Sequence, residues 1–229
     1  NNKATIYLDT SGASLHRRGY RLQTVTAPMQ EIIAAAIIRL SHWNGIRPLV
    51  DPMCGSGTLL CEAMMHYCRI PAGYVRKNFG FTALPDFDAE IWAAVKLEED
   101  SRIRDLPQGL ISGSDKSEEA IAAAKANTRC FAQGGNIALS VMSMQNIKSL
   151  ANSVIVSNPP YGIRLETDEN IKDFMKQLGD FLKQRCTGSE AYLYFGNRQL
   201  IKNIGLKPTW KKILISGGLD GRLVKYNLY

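Results

Sequence analysis

From residue 45 onward, apolar runs of four to seven residues alternate with longer amphipathic stretches. That rhythm is the one of repeated βα units, and it restricts the chain to an α/β fold with a mostly parallel sheet. The runs predict strands at Pro48 to Asp51, Leu110 to Ser114, Ile137 to Met142, Ser153 to Ser157 and Ala191 to Phe195. The ending WKKILISGGLDGRLVKYNLY places two β-rich arms around a glycine-rich turn, which predicts a closing antiparallel hairpin. A length of 229 residues with 45% hydrophobic residues suffices for one sizeable core.

Helices are expected between the strands. KSEEAIAAAKANTRCFAQGG opens with Ser117 three residues before Ala120, carries acids in its first turn and ends in two glycines, as a capped helix does. ENIKDFMKQLGDFLKQRC spaces Ile171, Phe174, Met175, Leu178, Phe181 and Leu182 at three and four, giving one apolar stripe against the sheet. PMQEIIAAAIIRLSHW reads as a helix with Pro28 at its first position. Residues 69–108, with three prolines and the aromatic-rich YVRKNFGF, form an insertion between the first two strands. Internal repeats and low-complexity tracts are absent from the sequence.

No apolar stretch approaches the roughly 18 to 20 residues of a membrane-spanning helix, and the first thirty residues lack a signal peptide's apolar core. The chain reads as soluble and cytoplasmic, with no membrane partner. Five cysteines form no C-x-x-C pair and have no histidine at ligand spacing, so neither a metal site nor a disulfide framework is expected. Cys54, Cys61 and Cys68 recur every seven residues, which suits buried packing on a helix. His16, His42 and His66 show no pairing that assigns them chemistry. A net charge of +7 suits a phosphate-bearing partner. Arg17, Arg18 and Arg21 bracket Tyr20, and Lys207, Lys211 and Lys212 surround Trp210; cations interleaved with aromatics suit holding phosphates and stacking bases, although solvated loops with snorkelling stems look the same.

PLVDPMCGSGTLLCEA is an apolar strand, an acid at its carboxyl end, a glycine loop and a helix, the crevice where open α/β sheets bind ligands. Gly55 and Gly57 allow close backbone approach, and the N–H groups opening the helix favour a negative group. A phosphate-binding P-loop needs a lysine after the glycine, and none follows Gly57; a dinucleotide fingerprint beginning at Gly55 would have its third glycine where Leu60 stands. One unit later, GSD ends the second strand with Asp115, a carboxylate placed to accept both hydroxyls of a ribose. An adenosyl ligand with a charged amino-acid tail fits both ends; the alternative is a tight structural turn. Asn158, after the fourth strand, lies on the same rim. Pro159 and Pro160 fix φ and remove two donors, leaving rigid acceptors, which suit gripping both hydrogens of an exocyclic amine. Such a grip aims the nitrogen lone pair at an electrophile. Tyr161 offers a flat face for the attached ring. A di-proline loop that merely ends a strand is the plainer alternative.

These residues resemble the class I S-adenosylmethionine-dependent methyltransferases acting on amino groups, whose motif is Asn-Pro-Pro-Tyr. LHRRGYR, Ala27-Pro28, DPMCGSGT, GSD and SNPPYGIRL, in that order, are similar to the THUMP-associated guanine-N2 methyltransferases of bacterial 23S rRNA. The resemblance implies a Rossmann-like, seven-stranded class I sheet, mostly parallel with a C-terminal antiparallel hairpin, spanning residues 1–229. Within it, 1–45 would be an N-terminal extension and helix and 46–229 the core. It implies S-adenosyl-L-methionine as cofactor and ribosomal RNA as partner. Asp51, Pro52, Met53, Cys54, Gly55, Ser56, Gly57 and Thr58 would cradle the methionine part, bordered by Thr26, Ala27 and Pro28. Asp115 and Lys116 would flank the ribose, and Ser143 and Met144 the adenine, where such enzymes usually carry an aspartate. Asn158, Pro159, Pro160 and Tyr161 would hold the target 2-amino group, Asn158 also contacting the cofactor, with Arg17, Arg18, Tyr20 and Arg21 on the RNA. Adenine-N6 or glutamine-N5 methylation, or a scaffold without activity, remain alternatives. The chain opens Asn1-Asn2, as an excised fragment would, and an upstream RNA-binding domain is expected.

Overall fold

The computed structural model describes residues 3–25, 28–160, 168–215 and 220–229. Thr26, Ala27, Tyr161 and the glycine-rich turn at 216–219 lie outside the described residues. Seven strands form one sheet: β1 (Leu49–Asp51), β2 (Ile111–Asp115), β3 (Ala138–Val141), β4 (Val154–Ser157), β5 (Glu190–Phe195), β6 (Trp210–Ile213) and β7 (Arg222–Asn227). Their order is β3-β2-β1-β4-β5-β7-β6. The first five run parallel; β7 is antiparallel to both β5 and β6, so the closing hairpin expected from sequence is present. Each predicted strand lies within a residue or so of its observed bounds.

Among the described residues, five α-helices accompany the sheet: α1 (Glu31–Ser41), α2 (Thr58–Cys68), α3 (Ala89–Asp100), α4 (Glu118–Thr128) and α5 (Asp168–Arg185). Strand alternation sorts the core into two faces. Val154, Val156, Tyr192, Tyr194 and Leu223 pack with residues of α1, α2 and α4. Ile155, Ala191, Leu193, Phe195 and Val224 point the other way, onto α5. Of the α5 stripe, Ile171, Met175, Leu178, Phe181 and Leu182 are buried and Phe174 partly so. At roughly 1.5–3 kcal/mol per buried large side chain, this stripe holds α5 to the sheet. Cys54, Cys61, Cys68 and Cys186 are free and buried, and Cys130 is partly exposed.

Two expectations are corrected. Pro28 is not the first residue of α1; Gln30 caps that helix and Pro28 stands two residues before the cap, in the segment leading to it. Helix α4 stops at Thr128, before the two glycines, which fall in a separate 3-10 turn, Ala132–Asn136. Gly134 closes there because a Cβ would overlap the Thr128 carbonyl. The insertion at 69–108 contains a helix, α3, which has no buried residue and therefore no core-facing stripe to betray it. Its signal was the cap: Asp88 accepts from the N–H groups of Glu90 and Ile91 at 2.8 and 3.0 Å.

Candidate active site

The strand order reverses direction between β1 and β4, so the loops leaving their carboxyl ends part and open a crevice. Asp51 ends β1 and Asn158 follows β4. Ser157 Oγ donates to Asp51 Oδ1 at 2.7 Å across the two strands, and Met53 N–H donates to the same oxygen at 3.0 Å. Asp51 is 1% exposed. Burial pushes its carboxyl up to about 7, against the pull of the Ser157 and Met53 hydrogen bonds.

The loop after β1 turns on Gly55 and Gly57, at φ +53° and +80°. Gly57 is also the residue capping α2, and a Cβ there would stand 3.1 Å from Ala124 Cβ, so α4 packs directly on the turn. The Asp115 carboxylate braces the loop: Gly55 N–H donates to Oδ2 at 2.9 Å and Ser117 N–H to Oδ1 at 3.0 Å, leaving each oxygen a further lone pair. Leu60 stands at the dinucleotide fingerprint's third glycine position. Close packing of helix on strand is achieved instead by Gly113 of β2, where a Cβ would overlap Leu60 Cδ1 and lie 3.1 Å from Cys54 Cβ.

A cleft runs from this loop to Asn158, lined by Asp51, Met53, Gly55 and Thr58, with Val25 and Pro28 on its outer side. Asn158 Oδ1 is buried and accepts no hydrogen bond from the described residues. Pro159 is buried and Pro160 half-buried behind it. Pro52, Cys54, Ser56 and Gly57 are buried beneath the loop, and Lys116 is exposed beside Asp115. The structure thus brings the glycine loop, Asp115 and the asparagine turn to one rim. Ser143 lies farther along that rim, after β3, and its hydroxyl donates to the Gln145 side chain, so its oxygen retains acceptor capacity.

Two side chains do not serve as expected. Met144 is buried among the residues packed on α5, so its side chain belongs to the core and not to the rim. Tyr20 is 0% exposed, packs on Phe131 and donates its hydroxyl to Glu62 at 2.9 Å; it is a core tyrosine with no free ring face for a base. Its arginine neighbours divide. Arg18 pairs with Glu62 at 3.5 Å and Arg21 with Glu31 at 3.3 Å, both largely buried, whereas Arg17 is exposed. Burial raises the Glu62 carboxyl, and Arg18 and Tyr20 oppose that shift. The second basic group also divides: Lys212 lies over the Trp210 ring at 5.0 Å, while Lys211 points to the opposite face of β6.

Sequence reasoning missed Asn127. On α4 and 1% exposed, it accepts from the N–H groups of Leu22 and Gln23 at 2.8 and 3.0 Å and donates to the carbonyls of Gln23 and Ser56, both at 2.9 Å. It joins the N-terminal arm to the glycine loop. Its signal was an amide on the face of α4 that buries Ala120, Ala123 and Ala124. Among the described residues, no cluster of histidine, cysteine or carboxylate side chains is placed to hold a metal ion, and no helix is long and apolar enough to cross a membrane.

A sheet of this order, with a glycine loop after its first strand and an acid after its second, defines a class I methyltransferase domain. The crystal structure of SMU.472, described as a putative methyltransferase complexed with SAH, superposes with a TM-score of 0.85 at 32% identity, covering 96% of this chain and 57% of that one. The chain belongs to the RMKL-like methyltransferase domain family, whose model matches residues 18–225. Relatives include a Synechocystis protein named putative RNA methyltransferase slr0064, 39% identical over all of this chain and 60% of its own length. The ribosomal RNA large subunit methyltransferase K/L of Syntrophotalea carbinolica is 33% identical over 99% of this chain and 33% of its own length. The chain therefore spans about a third to three-fifths of these relatives.

Proposed function

We propose that this domain transfers a methyl group from S-adenosyl-L-methionine to the exocyclic 2-amino group of a guanosine in 23S rRNA, in the cytoplasm. The observation that carries this reading is Asn158 Oδ1, a buried acceptor at the cleft without a partner among the described residues. A buried acceptor left unpaired costs about 1–3 kcal/mol, which an incoming N–H would recover. The names and bound ligand of the relatives support the cofactor and the RNA substrate.

The residues fit that cofactor. Asp51 is placed to hold an ammonium, the amino end of α2 a carboxylate, and Asp115 a pair of ribose hydroxyls. Pro28, with Thr26 and Ala27 beside it in sequence, would border the amino-acid tail. Ser143 would accept from the adenine amine, more weakly than a carboxylate. When bound, S-adenosylmethionine supplies a methyl carbon made electrophilic by its sulfonium. Asn158 Oδ1 and the Pro159 carbonyl take the two amine hydrogens and turn the nitrogen lone pair toward that carbon. Attack by that nitrogen would leave the electrons of the broken C–S bond on sulfur, and the amine proton would pass to solvent. Tyr161 would stack on the base.

The test is incubation with methyl-labelled cofactor and, separately, 23S rRNA, DNA and a release factor. Label recovered as N2-methylguanosine from the rRNA is expected. Label on DNA adenine or protein glutamine would replace this reading with the other amine acceptors, and tight S-adenosylhomocysteine binding without transfer to any of them would leave a scaffold. Asn158→Ala is expected to slow transfer by roughly 10²-fold, as loss of one positioned polar contact does, while S-adenosylhomocysteine binding measured by calorimetry is retained.

A further inference from the structure

A second concave surface lies away from the cofactor cleft. Between the 3-10 segment Arg198–Ile204 and the edge strand β6 runs a groove of about 450 Å³, floored by Ile201, Leu206 and Pro208 and rimmed by Arg198, Lys202 and Lys211. Among the described residues, no carboxylate lines it. Arg198 reaches Asp220 at 3.4 Å, in an exposed pair, while Lys202 and Lys211 are exposed and form no ion pair with the described residues. Lys207 is exposed between Leu206 and Pro208. Lys202 and Lys211 along an apolar floor complement a nucleic-acid strand: phosphates take the ammonium groups, and ribose and base faces take the floor. A protein strand adding to β6 is disfavoured by the lysines on that edge.

Arg198, which lines the groove, shares the carboxyl side of the sheet with Asn158. Arg198 follows the carboxyl end of β5, and Asn158 follows that of β4; the two strands are hydrogen-bonded neighbours, with axes about 4.8 Å apart. We infer that this groove holds the phosphate backbone of a single-stranded segment of the RNA whose base enters at Asn158. The identity of that RNA rests on the proposed function; the groove's affinity for a phosphate strand does not.

Lys202→Glu/Lys211→Glu and the milder Lys202→Ala/Lys211→Ala test it, using anisotropy of a labelled single-stranded RNA oligonucleotide over a KCl series. The reversal pair is expected to weaken binding by roughly tenfold or more. Both pairs should flatten the slope of log affinity against log salt by about 1.4, at about 0.7 per lost single-strand phosphate. S-adenosylhomocysteine affinity should be unchanged in both, since neither lysine touches the cofactor cleft. Native affinity and slope in both variants would overturn the inference, as would failure of the unaltered chain to bind the oligonucleotide. Because binding is read without turnover, absence of methyl transfer to rRNA would count against the proposed function and leave this result standing.

Discussion

Among the described residues Asp51 meets the Ser157 hydroxyl, the Met53 amide and the like charge of Asp115 but pairs with no cation, so burial dominates and holds its carboxyl near 7. An unfolded aspartate titrates near 3.9, so between these values the native chain holds a proton that the unfolded chain has released. The resulting stabilisation is complete below about pH 4, declines as pH rises through about 7, and is gone above it. Asp51→Asn keeps an acceptor for Ser157 and Met53 but carries no charge. Denaturant titrations should find it more stable than the native chain at pH 8, on the order of 2–4 kcal/mol, with a flatter profile between pH 5 and 7.5. An unchanged profile would assign the titration to another group. The same variant should bind S-adenosylhomocysteine more weakly, having lost the anion for its ammonium. Gly113 is the complementary case, a residue defined by space: Gly113→Ala forces a methyl onto Leu60 and Cys54 and is expected to cost about 1–3 kcal/mol in thermal unfolding. In the sequence Gly113 was legible only as the start of GSD, since the leucine that fills the place beside it comes from another element.

Elements with a local cause were the readable ones. The Ser117 cap of α4 is visible in sequence and accepts from Ala120 N–H at 3.2 Å; Ser117→Ala should cost about 1 kcal/mol. Strands β1 and β4 were legible because both faces are buried and their residues run apolar without a break. The N-terminal arm was misread at Tyr20 and unread at Asn127, because its contacts cross more than a hundred positions to α4. Arginines and tyrosine in one heptad look like a nucleic-acid surface until Glu31 and Glu62 are known to face them. Replacing Asn127 by Ala strips four hydrogen bonds from the arm and the glycine loop, for an expected loss of about 2–4 kcal/mol. It should also speed proteolysis at residues 21–25 and weaken S-adenosylhomocysteine binding, since Val25 and Pro28 border the cleft. Proteolysis as slow as in the native chain would show that the arm is held by its ion pairs instead.

At the scale of the molecule, the parallel half of the sheet brings the glycine loop, Asp115 and Asn158 to one edge, and the antiparallel end supplies a surface of a different kind, basic and strand-edged. The seven-stranded, mostly parallel sheet was implied by resemblance, whereas the partition of the lysines about β6 required the side-chain alternation of a placed strand. The cysteines carry one more consequence. Burial raises the Cys68 and Cys186 thiols to about 11 and 12, and Cys54 and Cys61 are raised as well, so four thiols are both inaccessible and unreactive in the folded chain. The fifth, Cys130, is partly exposed and donates to the Tyr20 carbonyl at 3.4 Å, at the root of the arm. A maleimide should therefore label the chain in two phases: one equivalent at a rate that follows lifting of the arm, then four together at the rate of global opening. The molecule contains a native stopwatch for each of its two motions, and adding S-adenosylhomocysteine should slow the first hand as well as the second.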